Sequence, residues 1–310
     1  MIRKTSITKP MSRAALAVAA IMGANAMAFD QTRADEAYDP ERAQPGANGG
    51  TEEWTLEGDG AFGGGGPDDQ DGFHGQLGGG VVYGPQYKES SDMEVMPIPM
   101  VSLRYNWGER YVALDGPSLK ANIISGAGFE FGPLVTMEMG RDDDIDNLAV
   151  ARLGEIDDAV MAGIFFSTEI DLGGEGPGLQ LGGQVLTDMG DTNEGVVAKF
   201  EAGYNWTFGE SWMLMVGASA TWADENYMQT YFGVTPAGAL ASGLPVYSAG
   251  AGIENVELST GLVYRIDEDW SIMAFTSYQR LLDSAADSPV VQHGGSEDQL
   301  MFALAVGWEF

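Results

Sequence analysis

The chain has no cysteine and only two histidines, His74 and His293, in its 310 residues. Without cysteine no disulfide can staple the fold, and thiolate ligands for metals are excluded. A serine hydrolase needs a serine, an activating histidine and an orienting third group in one constellation, and two isolated histidines leave little for that. Basic residues are scarce as well: 15 Lys and Arg stand against 46 Asp and Glu, a formal charge of −31. Such a field repels nucleic acid and anionic membrane surfaces. No apolar run reaches the roughly 20 residues of a membrane-spanning helix, and no window carries an apolar stripe at 3.6-residue spacing. No phosphate loop, metal triad or paired-carboxylate motif calls for a cofactor, so none is expected, and neither is enzyme activity.

What is present starts with Arg3, Lys4, Lys9 and Arg13 ahead of an apolar run from Ala14 to Met22, with Ala26-Met27-Ala28 after it. This is the layout of an export signal over residues 1–28. Its removal leaves 11 Lys and Arg against the 46 acidic residues, formally −35. Residues 29–72 then shift to Gly, Asp, Glu and Pro, ending in GDGAFGGGGPDDQDG. So few apolar side chains cannot offset the entropy of ordering, which predicts a flexible acidic periplasmic leader.

From residue 73 to 310 the pattern becomes strands with period-two alternation. In LMFALAVGWEF, Leu300, Phe302, Leu304, Val306, Trp308 and Phe310 share one face. In GVVAKFEAGYNW, Val196, Phe200, Tyr204 and Trp206 oppose Val197, Lys199, Glu201 and Asn205. In VELSTGLVYRI, Val256, Leu258 and Tyr264 oppose Glu257, Ser259 and Arg265. A soluble sandwich also alternates, so strand length and loop order decide. The strands run about ten to twelve residues, which fits the roughly 9–11 needed to cross a bilayer at a tilt. About 12 strands are expected (10–14 being possible), near 73–83, 96–107, 109–115, 119–131, 133–141, 158–170, 177–188, 194–207, 211–222, 253–267, 270–281 and 298–310, an even number as a bacterial barrel requires.

With the C-terminus on the periplasmic side, the long connections 84–95, 142–157, 189–193, 223–252 and 282–297 fall outside. The short turns WGE, FGP, FGES and IDEDW fall inside, and one short outer turn, DGPS, is the exception. Trp107, Trp206, Trp212, Trp270 and Trp308 gather at the inner turns, as an interfacial aromatic girdle does. A lysine at mid-bilayer on the lipid face costs about 2–4 kcal/mol, so Lys199, Glu201, Glu257 and Arg265 are expected to line a polar lumen. Lys199 with Glu201, and Arg265 with Glu257, are the candidate neutralising pairs. The expected fold is therefore all-β: a transmembrane antiparallel up-and-down barrel behind a disordered N-terminal leader.

The stretches GGGVVYGPQYKESSDMEVMPIPMVSLRY (78–105), FGPLVTMEMGRDDD (131–144), WADENYMQTYFGVTPAGALASGLPVYSAGAG (222–252) and SYQRLLDSAADSPVV (277–291) together resemble the MipA/OmpV family of outer-membrane proteins. The resemblance covers residues 73–310 and leaves the leader out. It implies a β-barrel in the outer membrane of Gram-negative bacteria, among outer-membrane lipid and lipopolysaccharide. The family's namesake is a scaffold that brings a murein lytic transglycosylase together with a penicillin-binding protein, and other members are described as osmotic or antibiotic-responsive proteins and as adhesins. The end of the chain, with Trp308 and Phe310, resembles the signal read by the barrel-assembly machinery. A scaffold is thus the leading functional expectation, a small-solute or cation channel and a surface adhesin or receptor being the alternatives.

Two loop features complete the sequence reading. Pro97 and Pro99 remove two backbone donors, which suits a strand descending from an outer loop and would damage a mid-sheet position. In NYMQTYFGV, Tyr227, Tyr231 and Phe232 form either a partner patch or aromatic pins that hold the long loop over the barrel mouth, and packing is the better reading of the two. In RDDDIDN, Asp142, Asp144 and Asp146 alternate like the first calcium ligands of an EF-hand. The hand itself is excluded, for the sixth position is not Gly and the twelfth is Leu153. A looser outer-loop site for Ca²⁺ or Mg²⁺ stands against a solvated acidic loop.

Overall fold

The computed structural model describes residues 71–126, 128–172 and 178–310. The export signal over 1–28 and the leader up to residue 70 lie outside the described residues. The strands are β1 (Gly72–Pro85), β2 (Met93–Trp107), β3 (Arg110–Asp115), β4 (Ser118–Asn122), β5 (Ile124–Gly126), β6 (Phe129–Glu138), β7 (Ala159–Ile170), β8 (Leu179–Asp188), β9 (Val196–Phe208), β10 (Trp212–Ala223), β11 (Gly252–Arg265), β12 (Trp270–Leu281) and β13 (Asp298–Glu309). Each pairs antiparallel with its sequence neighbours except β4 and β5, which do not pair with each other; β1 pairs with β13, and both β4 and β5 pair with β6. Because β4 and β5 are two halves of one stave interrupted at Ile123, the ring closes with twelve staves. Closure leaves no sheet edge running the length of the wall, and in lipid that is the only way a sheet satisfies its backbone.

The alternation read from the sequence is the alternation of the wall. Along β13, Leu300, Phe302, Leu304, Val306 and Trp308 are exposed on the outside, while Gln299, Met301, Ala303 and Ala305 are buried inside. Ring contacts run along the periplasmic rim: Trp308 with Phe310 (5.0 Å), Trp212 with Tyr264 (4.6 Å), Phe208 with Trp212 (6.2 Å) and Tyr105 with Trp107 (6.0 Å). Among the described residues no helix is long and apolar enough to cross a membrane.

The seam between the first and last strands explains the glycines of β1. A Cβ on Gly78 would lie 2.3 Å from the Val306 carbonyl oxygen, and one on Gly80 the same distance from that of Leu304. No residue with a Cβ fits so close a backbone approach, so glycine there is a condition of closure.

Two expectations need correction. The FGP stretch is not a periplasmic turn: Phe131, Gly132 and Pro133 lie inside β6, and the turn falls at Gly126–Gly128 instead. Pro133 is tolerated because the β4–β6 register slips where the stave breaks at Ile123, so a missing donor meets a bulge. The lumen is also not uniformly polar. Val82, Met96, Ile98, Met100, Met213, Met215, Val263, Met273, Phe275 and Met301 form one buried apolar cluster on the inner faces of β1, β2 and β10 to β13. Lipid fixes which residues face out, but it does not require the inner face to be polar.

Candidate functional site: the lumen and its outer cap

The outer connections carry five short helices, α1 (Leu148–Ala151), α2 (Glu225–Phe232), α3 (Pro236–Ser242), α4 (Asp283–Ala286) and α5 (Pro289–Gln292). Four of the five starts carry a side-chain cap, from Asn147, Asp224, Thr235 and Ser288, and α4 starts without one. Asp224 caps α2 by accepting from the Tyr227 amide (3.0 Å), and Thr235 caps α3 by accepting from Gly238 with Pro236 in the first turn. Gly243 ends α3 in the left-handed region. The helices pack through Tyr87, Val150, Val234, Leu244 and Val290.

Under this cap lies a buried ion cluster. Lys88, on the β1–β2 connection, reaches Glu138 at the end of β6 (2.7 Å) and Glu254 at the start of β11 (3.0 Å), and donates to the Tyr227 hydroxyl. Tyr227 in turn donates to Glu138 (2.8 Å), and the rings of Tyr227 and Tyr231 flank the ammonium at 4.9 and 5.0 Å. Burial by itself would lower Lys88, but Glu138 and Glu254 hold it well above its ordinary value. Burial, and then the charge of Glu138, push the Tyr227 hydroxyl up. Beside this cluster Arg141 lies 3.6 Å from Glu89, both almost fully buried. The Glu89 carboxyl is raised by burial, with Arg141 pulling the other way. One lysine thus ties four chain segments over the mouth of the barrel.

Below the cap, the inner faces of β3 to β9 carry polar groups beside the apolar Leu134, Met161, Phe165, Leu186 and Val197. Tyr111 donates to Glu130 (2.7 Å), which also accepts from Ser167 (3.2 Å), and Ser102 donates to Asp115 (2.7 Å). Lys199 and Glu201 stand 3.9 Å apart and each keeps about a quarter of its side chain exposed. Glu257 lies on the same inner row, but Arg265 is eight residues further along β11, some 26 Å away at about 3.3 Å per residue, so the expected Arg265–Glu257 pair does not form.

The other sequence candidates fall as follows. Tyr227, Tyr231 and Phe232 are 1%, 3% and 0% exposed, so they are pins inside the cap and not a patch for a partner. The physical reason is the apolar floor they meet: they pack with Leu134, Met161, Leu186 and Val197 from the barrel wall. Asp142, Asp144 and Asp146 belong to no group of three or more acidic or histidine ligands among the described residues, and Asp146 accepts from Gln86 (2.9 Å) instead. Trp308 and Phe310 close the periplasmic rim, stacked on each other. The residues that sequence reasoning missed are Lys88, Glu89, Glu138, Arg141 and Glu254. A signal existed: Lys88 and Arg141 are two of only 11 basic residues expected in the exported chain, and a rare charge inside a loop that must fold inward needs partners.

A closed barrel with an apolar outer belt, an aromatic periplasmic rim and a capped outer mouth defines an outer-membrane β-barrel. The family model described as MltA-interacting protein MipA matches residues 77–310, and the chain belongs to that family. A protein of Escherichia coli (strain K12) carrying the provisional name outer membrane protein YiaT is 26% identical over 168 residues, 54% of this chain and 63% of that one, and its counterpart in strain O157:H7 matches equally. The match therefore spans less than two thirds of those relatives. Among solved structures, the NanC porin aligns over 76% of this chain and 100% of its own at 8% identity and a TM-score of 0.40. The translocator domain of the autotransporter NalP from Neisseria meningitidis aligns over 79% and 90% at 9% identity and 0.36. These likenesses are faint, below the level from which a shared function follows.

Proposed function

We propose that this barrel is a non-enzymatic scaffold that ties the outer membrane to murein-remodelling enzymes, a lytic transglycosylase and a penicillin-binding protein. The family's own description, an interaction with the protein MltA, supports the choice of partner. The observation that carries the reading is the obstructed lumen: helices cover the outer mouth and one arc of the interior is packed with methionine and aliphatic side chains. A barrel filled in this way serves better as an anchor than as a wide pore. The two histidines support a non-enzymatic reading, since His74 sits in β1 opposite Arg104 and His293 sits in the last outer connection. They are at opposite ends of the wall.

Crosslinking in intact cells with the full chain in its own outer membrane tests this. Recovery of a transglycosylase or penicillin-binding protein, lost when residues 29–72 or the periplasmic turns are altered, is the expected result. Recovery of lipopolysaccharide and porins alone overturns it. A cation channel is the second reading, favoured by the water-accessible Lys199–Glu201 pair on the polar arc. Single-channel recordings without conductance steps would dispose of it.

A further inference from the structure

Above the β3–β4 hairpin, the wall of the barrel is incomplete. Strand β3 covers β2 only from Ser102 to Trp107, and the Gly116 amide makes the last contact, to the Val101 carbonyl at 2.9 Å. From Met93 to Met100, β2 has a ladder partner in β1 alone. On the other side the hairpin meets β6 at Leu119↔Val135, and Ser118 shares a hydroxyl hydrogen bond with Thr136 (2.8 Å). The turn from Asp115 to Ser118 is therefore a sill between two jambs, β2 and β6. The lintel is the contact of the β1–β2 connection with the segment beyond β6, where Arg141 lies 3.6 Å from Glu89 and Gln86 donates to Asp146 (2.9 Å). Two staves separate the jambs, so three strand spacings set the width at about 14 Å.

The opening lies at lipid depth. Val95, Pro97 and Pro99 stand in register with Tyr83, Val81 and Gly79 of β1, and through them with Phe302, Leu304 and Val306 on the lipid-facing row of β13. In a strand, backbone groups point to alternate neighbours, so Val95, Pro97 and Pro99 aim their backbone to the same side as Val101, into the opening. Two of these three residues have no N–H. Two of the three donors that would recruit another strand are missing where the edge is open, which disfavours strand addition as the purpose. Their carbonyls remain, and at this depth carbonyls need donors. Directly behind the jamb, the inward Met96, Ile98 and Met100 belong to the apolar lumen cluster that continues to Met301 and Met273. Methionine is unbranched and rearranges at little cost, so this is an apolar path that can yield to a chain.

We propose that the opening is a lateral port through which a single-chain amphiphile passes between the outer leaflet and the lumen. Its acyl chain lies along the methionines, and its uncharged head, a hydroxyl or amide, donates to the exposed carbonyls of β2. An anionic head is disfavoured by the strongly acidic chain. A width of about 14 Å suits one chain with a small head and not a lipid with many chains.

The test uses the full chain in phosphatidylethanolamine–phosphatidylglycerol vesicles and a long-chain alkanol with a terminal diazirine. After photolysis, peptide mass spectrometry is expected to find adducts on inward Met96, Met100 and Met301 as well as on outward Phe302 and Leu304. Counting up from the Ser102–Asp115 and Ser118–Thr136 contacts places Pro99 and Met139 level on the two jambs. The chain has no cysteine, so P99C/M139C can be stapled selectively. A gap of about 14 Å is too wide for a disulfide, whose Cα atoms lie within about 7 Å, but a bis-maleimide of matching length spans it. Stapling is expected to abolish the inward adducts and leave the outward ones unchanged. Ile98→Trp, which fills the lumen behind the port, is expected to do the same without chemistry at the edge. Adducts on outward positions only would overturn the proposal. So would inward adducts that survive the staple, or a disulfide that forms between positions 99 and 139.

Discussion

The two sides of the lumen obey one rule of alternation and are filled in opposite ways. On β1, β2 and β10 to β13 the inward rows carry a continuous cluster of Met, Val, Ile, Ala and Phe275, whose fit is loose in chemistry and tight in volume. On β3 to β9 apolar side chains such as Phe165 and Leu186 share the inner face with Tyr111, Asp115, Glu130, Lys199 and Glu201, which hold their neighbours by directed hydrogen bonds and ion pairs. This side continues upward through Glu138 into the Lys88 cluster. The difference teaches that lipid selects only the outer row of each strand. The inner row is selected by what it touches, and each side should therefore fail in its own way when altered.

The largest effect is expected where the polar side meets the cap. Lys88→Met removes the ammonium that bridges Glu138 and Glu254 and leaves the two carboxylates together, a change that costs about 3–5 kcal/mol. Protease added to intact cells should then cut the 224–251 connection, which the cap otherwise protects. Unaltered resistance would mean that α2 holds the mouth by its aromatic pins alone. On the same side, Tyr111→Phe deprives Glu130 of its shortest donor and should lower stability by about 1–3 kcal/mol in urea unfolding from vesicles. On the methionine side, Met273→Leu keeps volume and polarity, and its cost should stay below about 1.5 kcal/mol. If the tyrosine change is the milder of the two, the contrast between the sides is wrong.

This contrast also marks how far the sequence could be read. The outer face was legible in every strand with a long alternating run, Leu300 to Phe310 above all, because lipid imposes one demand on all such positions. The inner face was not, since Met213 and Met215 alternate with Trp212 and Leu214 as serines would, and alternation says nothing about what a side chain packs on. The break at Ile123 was hidden because Gly132-Pro133 is a better turn signal than the true turn at Gly126–Gly128. The roles of Pro97 and Pro99 needed the length of β3, the next strand, which alternation alone does not give. The cap cluster is the least legible part: Lys88, Glu138 and Glu254 are 50 and 116 residues apart along the chain, and only closure of the ring brings them together.

The smallest expected effect is a dependence on pH, and it separates the cap from the wall beneath it. Burial raises the Glu89 carboxyl above the ordinary carboxylate range, against the pull of Arg141 and Lys88. The folded cap therefore binds a proton more tightly at Glu89 than the opened loop does. For an acid raised on folding, the contribution to stability is fully present below the unfolded value of about 4.3 and is lost as pH rises through the folded one. Amide exchange in the 86–92 connection should accordingly slow as pH falls from neutral toward that range, after correction for the intrinsic rate. Glu89→Gln keeps the shape and removes the titration, so its exchange should be flat over the same interval while the β13 amides stay unchanged in both chains. A slope that persists in the glutamine variant would assign the effect to another carboxylate of the cap.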